Sequence, residues 1–210
     1  MSSFRFPHRL YPIVDTLGDP QRSHVELAEA MLAAGVRLLQ LRIKDRPTGA
    51  FVDVARAIQA RAAACGALLI INDRADITRL VGAAGVHVGQ DDLAPTDARR
   101  LLGPDAIIGV STHTEEQARA AAIEGVANYL GFGPIFRTSS KANPDPVQGL
   151  DGLRQARRVA DMPMVAIGGI TLATMQSVVS AGADAAAVIR DVVSASDVRA
   201  RVTEFLAAAA

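Results

Sequence analysis

Along residues 38–44, LLQLRIK, a polar side chain recurs at every second position. Successive side chains of an extended strand point to opposite faces, so Gln40, Arg42 and Lys44 share one face and Leu39, Leu41 and Ile43 the other. An amide, a guanidinium and an ammonium in one row suit an oxyanion. The arginine offers a planar fork to phosphate oxygens, and the lysine acts as a point charge. Burying both cations without partners is costly. An anionic ligand relieves that cost; so does a network of salt bridges to Asp or Glu.

Two further apolar runs end in acids. LLIIND closes on Asn72-Asp73, and GVHVGQDD on Asp91-Asp92. Neighbouring strands lie about 4.8 Å apart, so carboxylates at adjacent strand ends can converge on one ion. Mg²⁺ commonly takes one or two carboxylates and completes its shell with water or substrate phosphates. With Arg42 and Lys44 alongside, a diphosphate bridging metal and cations is the natural occupant. Aspartates in loops also cap helices and form turns, and spacing alone does not choose between Asp91 and Asp92.

A second anion site is expected further along. Gly168-Gly169 in IGGIT and Arg190 in ADAAAVIRD follow the last two apolar runs. Ser111 ends another run in GVSTHT and could instead cap a helix, while Lys141 lies in a long loop. His87 sits inside an apolar run, where it is expected to line a core, and His113 is expected to open a helix. No Ser-His-Asp or Cys-His arrangement and no zinc spacing stands out, so acyl transfer and hydrolysis are not favoured.

The elements that must position these residues repeat one phrase: a small-residue helix end, a glycine, a short apolar strand, then polar residues. It reads AAGVRLLQLRIK, ACGALLIIND, AAGVHVGQDD, EGVANYLGFG and AGADAAAVIR. Strands are expected at 10–14, 38–42, 68–72, 86–88, 107–110, 129–132, 164–167 and 185–188. Apolar periodicity predicts helices at 24–34, 49–64, 75–81, 96–102, 114–123, 151–160, 172–180 and 195–206. Thr114 with Gln117, and Pro95 with Asp97, are helix-start signals. Gly35, Gly66, Gly85, Gly125 and Gly182 fall where a helix end favours a left-handed backbone.

Eight βα units in 210 residues fit a single (β/α)₈ TIM barrel across residues 1–210, with its chemistry at the carboxyl ends of the strands. An open doubly wound sheet is the alternative. It usually shows a glycine-rich loop after its first strand, where this chain reads IVDTLGD. Aromatics make up only 4% of residues, which suits helices packed closely on a sheet. Lys plus Arg and Asp plus Glu are 22 each, so bulk electrostatics exclude a nucleic-acid binder. The single cysteine, Cys65, permits no internal disulfide and is expected to be a buried small apolar residue. MSSFRFPHRLYP does not resemble a signal peptide, and no run is long enough to span a membrane. A cytoplasmic protein acting on small phosphorylated molecules is expected, with homo-oligomerisation left open. The 133–150 loop, GPIFRTSSKANPDPVQGL, mixes hydroxyls, a lysine and three prolines. A stiffened lid over the ligand is expected there.

QLRIKD, INDRAD, GVHVGQDDL, IGVSTHT, YLGFGPIFRTSSK and AIGGI together resemble the thiamine phosphate synthase family, in the family's order and spacing. The resemblance spans roughly residues 10–193. It implies that hydroxymethylpyrimidine diphosphate joins a thiazole phosphate, giving thiamine phosphate and diphosphate by a dissociative path. It implies that Gln40, Arg42, Lys44 and Asn72 hold the pyrimidine diphosphate, and that Asp73 and Asp92 ligate Mg²⁺. Ser111 and Lys141 would contact the pyrimidine and its leaving group. Thr138, Ser139, Ser140 and Gly169 would hold the thiazole phosphate, with Gly168, Ile189 and Arg190 beside it.

The chain departs from the family's common pattern in two places. Ile43 stands where Glu is frequent, on the face expected to point away from the site. Arg190 stands where Ser is common, which could strengthen thiazole-phosphate binding or change the substrate. Three other readings compete: a relative that isomerises the thiazole phosphate, a non-catalytic barrel that binds a pathway phosphate, and an unrelated phosphate-binding barrel lyase or epimerase. The first two do not require the carboxylate pair, and the third is disfavoured because no lone catalytic lysine sits inside a strand.

Overall fold

The computed structural model describes residues 4–17, 19, 21–44, 46–138 and 145–208. Eight parallel strands close into a barrel in sequence order: β1 (Leu10–Val14), β2 (Leu38–Leu41), β3 (Leu68–Asn72), β4 (Gly85–Val88), β5 (Ile107–Thr112), β6 (Tyr129–Phe132), β7 (Met164–Ile167) and β8 (Ala185–Val188). The ring shuts between β1 and β8, with Leu10 opposite Ala186 and Pro12 opposite Val188. Arg42 lies just past β2, but its N–H still donates to the Val14 carbonyl at 3.0 Å, so the ladder carries it to the rim.

The helices between strands are α1 (His24–Ala33), α2 (Thr48–Ala64), α3 (Ala75–Val81), α4 (Pro95–Leu102), α5 (Glu115–Glu124), α6 (Gly149–Val159) and α7 (Leu172–Ser180). After β8 come two more, α8 (Arg190–Val193) and α9 (Val198–Ala208). The short α8 is additional to the expected eight; its single turn is too brief to show a period. The Thr114 hydroxyl accepts from the Gln117 N–H at 3.2 Å and starts α5, as the sequence signal indicated. Pro95 occupies the first turn of α4. No helix among the described residues is long and apolar enough to cross a membrane.

Strand alternation sorts the core into two layers. Leu39, Leu41, Leu69, Ile71, Val86 and Val88 pack outward against the helices, and Ile43 joins them, as expected. Tyr11, Ile13, Leu38, Ile70, Tyr129, Val165, Ala185 and Ala187 fill the barrel. Phe4 and Phe6 close its lower end against the Tyr129 ring, at centroid distances of 5.4 and 5.2 Å.

Two expectations are corrected. Cys65 is exposed, because it is the C-cap of α2, past the helix's last buried turn. Gly85 is no helix cap; Gly82, with φ 66°, ends α3 instead. Gly85 begins β4, where a Cβ would stand 1.9 Å from the Ile107 carbonyl oxygen of β5. Glycine is needed there for close approach of two strands. Gly66 is the contrasting case: its φ is 68° and a Cβ would meet nothing within 4 Å. Gly85→Ala should therefore cost about 3 kcal/mol of stability, and Gly66→Ala only about 1 kcal/mol. Urea unfolding of both variants checks this; equal costs would contradict the steric account of Gly85.

Candidate active site

The carboxyl ends of the strands open into one cavity of about 660 Å³, within the range of small-molecule sites. Gln40, Arg42, Lys44, Asn72, Asp73, Asp92, Ser111, Thr138, Gly168, Gly169, Ile189 and Arg190 all line it. Ser139, Ser140 and Lys141 lie outside the described residues, as does much of the expected lid. The rim that the sequence pointed to is thus assembled on one side of the barrel.

Both cations already have carboxylate partners. Arg42 Nη1 donates to Asp15 Oδ2, and Lys44 Nζ to Asp73 Oδ2. The salt-bridge reading of strand two is therefore observed, and the same row faces the cavity. Asp15 was not singled out in the sequence. Its place just beyond β1 matches that of Asp73 beyond β3, and the rule that chemistry gathers at strand carboxyl ends could have found it. Asp15 is 6% exposed and also accepts from the Leu17 N–H at 2.7 Å.

Asp73 is held by its backbone. Its φ is 64°, in the left-handed region, its N–H donates to the His87 carbonyl at 2.8 Å, and its own carbonyl accepts from the Ala75 N–H at 3.2 Å. Outside glycine such a conformation is uncommon, and Asn and Asp tolerate it best. The turn directs the Asp73 carboxyl toward that of Asp92. Asp92 Oδ2 accepts from the Gly89 N–H at 2.8 Å, which fixes it across the gap. Burial pushes the Asp73 carboxyl above its usual range, the Lys44 ammonium pulls it down, and the adjoining Asp92 carboxyl raises it further. Two converging carboxylates, one disfavoured by the other's charge, form a donor set that a divalent cation would relieve. No group of three or more metal-capable side chains converges among the described residues. The pair therefore fits an ion such as Mg²⁺ that draws its other ligands from water or substrate oxygens.

Ser111 is not a helix cap. Its Oγ lies 2.9 Å from His87 Nε2, and His87 Nδ1 lies 3.0 Å from the Tyr129 hydroxyl. The Tyr129 and Tyr11 hydroxyls are 3.0 Å apart, and Gln40 Nε2 donates to Tyr11 at 3.1 Å. Burial pushes His87 down to about 4 and raises both tyrosines, so all three are neutral near pH 7. His113 precedes α5, as expected, but it also faces the cavity, with Nδ1 2.7 Å from the Gly133 carbonyl.

The Gly168-Gly169 pair has a reason beyond phosphate approach. Their φ values are 100° and 63°, and a Cβ on either would strike the loop after β6: Pro134 Cβ at 2.5 Å or the Arg137 carbonyl at 2.4 Å. Phe136 N–H donates to the Gly168 carbonyl at 3.0 Å, which locks the two loops together. Thr138, in the loop after β6, lines the same cavity as Arg190, and Arg137, Thr171 and Arg201 line it too, unforeseen from the sequence. Arg201 comes from α9, far from any strand end, so no sequence rule pointed to it.

The crowded acids yield a stability prediction. A carboxyl whose pKa is raised by folding contributes stability that is present below its unfolded value and lost as pH rises through the folded one. Asp73→Asn removes that penalty and keeps a residue suited to positive φ. Its melting temperature, read without ligand or metal, should exceed wild type at pH 7 and match it near pH 3. A lower value at pH 7 would mean that the Lys44 pair outweighs burial and Asp92.

Comparison with known proteins agrees with this geometry. The family model for thiamine monophosphate synthase matches residues 10–192. A thiamine-phosphate synthase of Koribacter versatilis is 46% identical over 98% of this chain and 97% of its own. One from Anaeromyxobacter dehalogenans is 48% identical over 88% and 82%. The solved thiamine phosphate pyrophosphorylase of Pyrococcus furiosus superposes with a TM-score of 0.85 at 34% identity, covering 96% of this chain and 95% of that one. Barrel closure, rim residues and relatedness over nearly the whole length coincide: the chain belongs to the thiamine monophosphate synthase family.

Proposed function

We propose that this chain condenses hydroxymethylpyrimidine diphosphate with a thiazole phosphate, releasing diphosphate and forming thiamine phosphate. The observation that carries the reading is the meeting of Asp73, Asp92, Arg42 and Lys44 on one cavity wall, within a chain of this family. A thiazole isomerase or a passive phosphate binder has no need of that set.

The reaction moves charge onto a leaving group. The bond between the pyrimidine methylene carbon and the diphosphate oxygen breaks, and its electron pair stays on that oxygen. The aminopyrimidine spreads the positive charge left at the methylene, and the thiazole nitrogen then supplies the pair for the new C–N bond. Asp73 and Asp92 would hold Mg²⁺, which neutralises charge on the diphosphate. Arg42 and Lys44 donate to the oxygens on which charge gathers, and Lys141 is assigned the same role. Gln40, Asn72 and Ser111 orient the pyrimidine half. Thr138, Ser139 and Ser140, with Gly168, Gly169, Ile189 and Arg190, are assigned to the thiazole phosphate. No protein nucleophile is required, and none is poised among the described residues: Ser111 is bonded to a buried imidazole rather than to an exposed base.

Incubation of the chain with both substrates and Mg²⁺ should yield thiamine phosphate by mass, and excess chelator should abolish it. Turnover unaffected by chelator would remove the metal from the reading. Asp92→Ala should lower turnover about a thousandfold, roughly 4 kcal/mol of transition-state stabilisation, with an unchanged circular dichroism spectrum. Arg190→Ser should raise KM for the thiazole phosphate and leave KM for the pyrimidine diphosphate alone. Equal values for wild type and variant would place Arg190 outside the subsite.

A further inference from the structure

Across the floor of the cavity, five side chains from five strands form one unbroken hydrogen-bonded line. It runs from Gln40 through Tyr11, Tyr129 and His87 to Ser111, with successive distances of 3.1, 3.0, 3.0 and 2.9 Å. The ends are rim residues with a place in the proposed reaction. The three middle members have none. All three are buried, at 1%, 0% and 8% exposure for Tyr11, Tyr129 and His87.

Room has been made for this line. A Cβ on Gly109 of β5 would lie 2.2 Å from Tyr129 Cζ and 2.5 Å from His87 Nδ1. A Cβ on Gly131 of β6 would lie 3.0 Å from His87 Cε1. Two neighbouring strands thus give up their inward side chains where the imidazole and phenol meet. Neither glycine has a left-handed φ, so space, not backbone freedom, is the reason.

Counting hydrogens gives the line a direction. Each hydroxyl carries one, and a neutral imidazole carries one. Gln40 donates its amide hydrogen to the Tyr11 oxygen. If the Tyr11 hydrogen goes to Tyr129 and the Tyr129 hydrogen to His87 Nδ1, every hydroxyl hydrogen in the buried line finds an acceptor; the reverse sense leaves the Tyr11 hydrogen without one along the line. Nδ1 must be bare, since two hydrogens do not fit in that 3.0 Å gap. The imidazole proton sits on Nε2 and is donated to Ser111 Oγ. What remains for the cavity is the Gln40 Oε1 acceptor with the second amide N–H at one end, and the Ser111 O–H donor at the other.

We propose that Tyr11, Tyr129 and His87 are positioning residues that fix this polarity, so that Gln40 and Ser111 present one acceptor and one donor to an aminopyrimidine. Such a ring carries the complement: an amino group that donates and a ring nitrogen that accepts. The opposite polarity would offer an amide donor at β2 and a hydroxyl already committed to His87 at β5, and would leave the amino group facing a donor. The inference rests on the proposed activity for its ligand, but the polarity can be read without any ligand.

Nitrogen-15 spectra of the histidine side chains in the whole chain provide that reading, with His87 assigned through its contacts to the Tyr129 ring. The expected result at neutral pH is a single tautomer protonated on Nε2. A proton on Nδ1, or an even mixture, overturns the polarity. Tyr11→Phe removes one hydroxyl and keeps the ring. It should raise KM for the pyrimidine diphosphate about tenfold, leave KM for the thiazole phosphate unchanged, and let His87 populate both tautomers. An unchanged pyrimidine KM, or equal rises in both values, overturns the positioning role. Wild-type protein that forms no thiamine phosphate would refute the activity and the named ligand, while the His87 tautomer would still decide the polarity.

Discussion

A closed barrel gives its inward side chains no water except at the mouth, so every polar group placed there needs a partner of its own. The site is organised by that requirement. Gln40 and Arg42 occupy successive inward positions along one edge, with Lys44 beyond them. Each finds a group contributed by another strand or its end: Tyr11 inside β1, Asp15 beyond it and Asp73 beyond β3, respectively. The same requirement makes His87 neutral and ties Ser111 to it. The arrangement of the rim is the pattern of partners that a dry interior demands, and the ligand joins a lattice of bonds already in place.

Small residues make that lattice possible. Gly109 and Gly131 clear space for the imidazole and phenol inside the barrel. Gly168 and Gly169 let the loops after β6 and β7 lie against one another. The barrel is lined by Ala187 from β8 and sealed below by Phe4 and Phe6, which pack tilted and edge-on against Tyr129. A low aromatic content is thereby concentrated where it counts: both tyrosines of the chain lie in one interior line.

Much of this was legible in the sequence because strand alternation is short-ranged. Residues 38–44 show at sight which side chains share a face, and the repeated helix–glycine–strand phrase implies parallel closure. What could not be read is partner identity. Tyr11 and Tyr129 are 118 positions apart, and neither apolar run announces that its tyrosine hydroxyl needs a bond. Asp15 sat in IVDTLGD as a single acid after an apolar run, with no base beside it to mark it as a partner. The Gly85 expectation failed because glycine after a small-residue stretch can serve either a helix end or a tight strand pair, and only the contact with Ile107 separates them. The short α8 escaped because one turn carries no period, although it is what brings Arg190 to the mouth.

The two ion pairs at the mouth differ in a way that assigns them different fates on binding. In the Lys44–Asp73 pair the side chains are 46% and 20% exposed, and in the Arg42–Asp15 pair 19% and 8%. An exposed pair is worth about 1 kcal/mol or less, whereas breaking a buried one leaves an uncompensated charge. Lys44 can therefore be released cheaply, and Asp73 would keep a compensating charge if a cation were held there. Arg42 has no such need to let go. One of its nitrogens serves Asp15, and a guanidinium has five N–H donors in a fixed fork, which leaves donors for a phosphate while Asp15 keeps the plane oriented. On this argument Asp15 keeps the Arg42 guanidinium oriented, and of the two pairs it is Lys44–Asp73 that separates more readily.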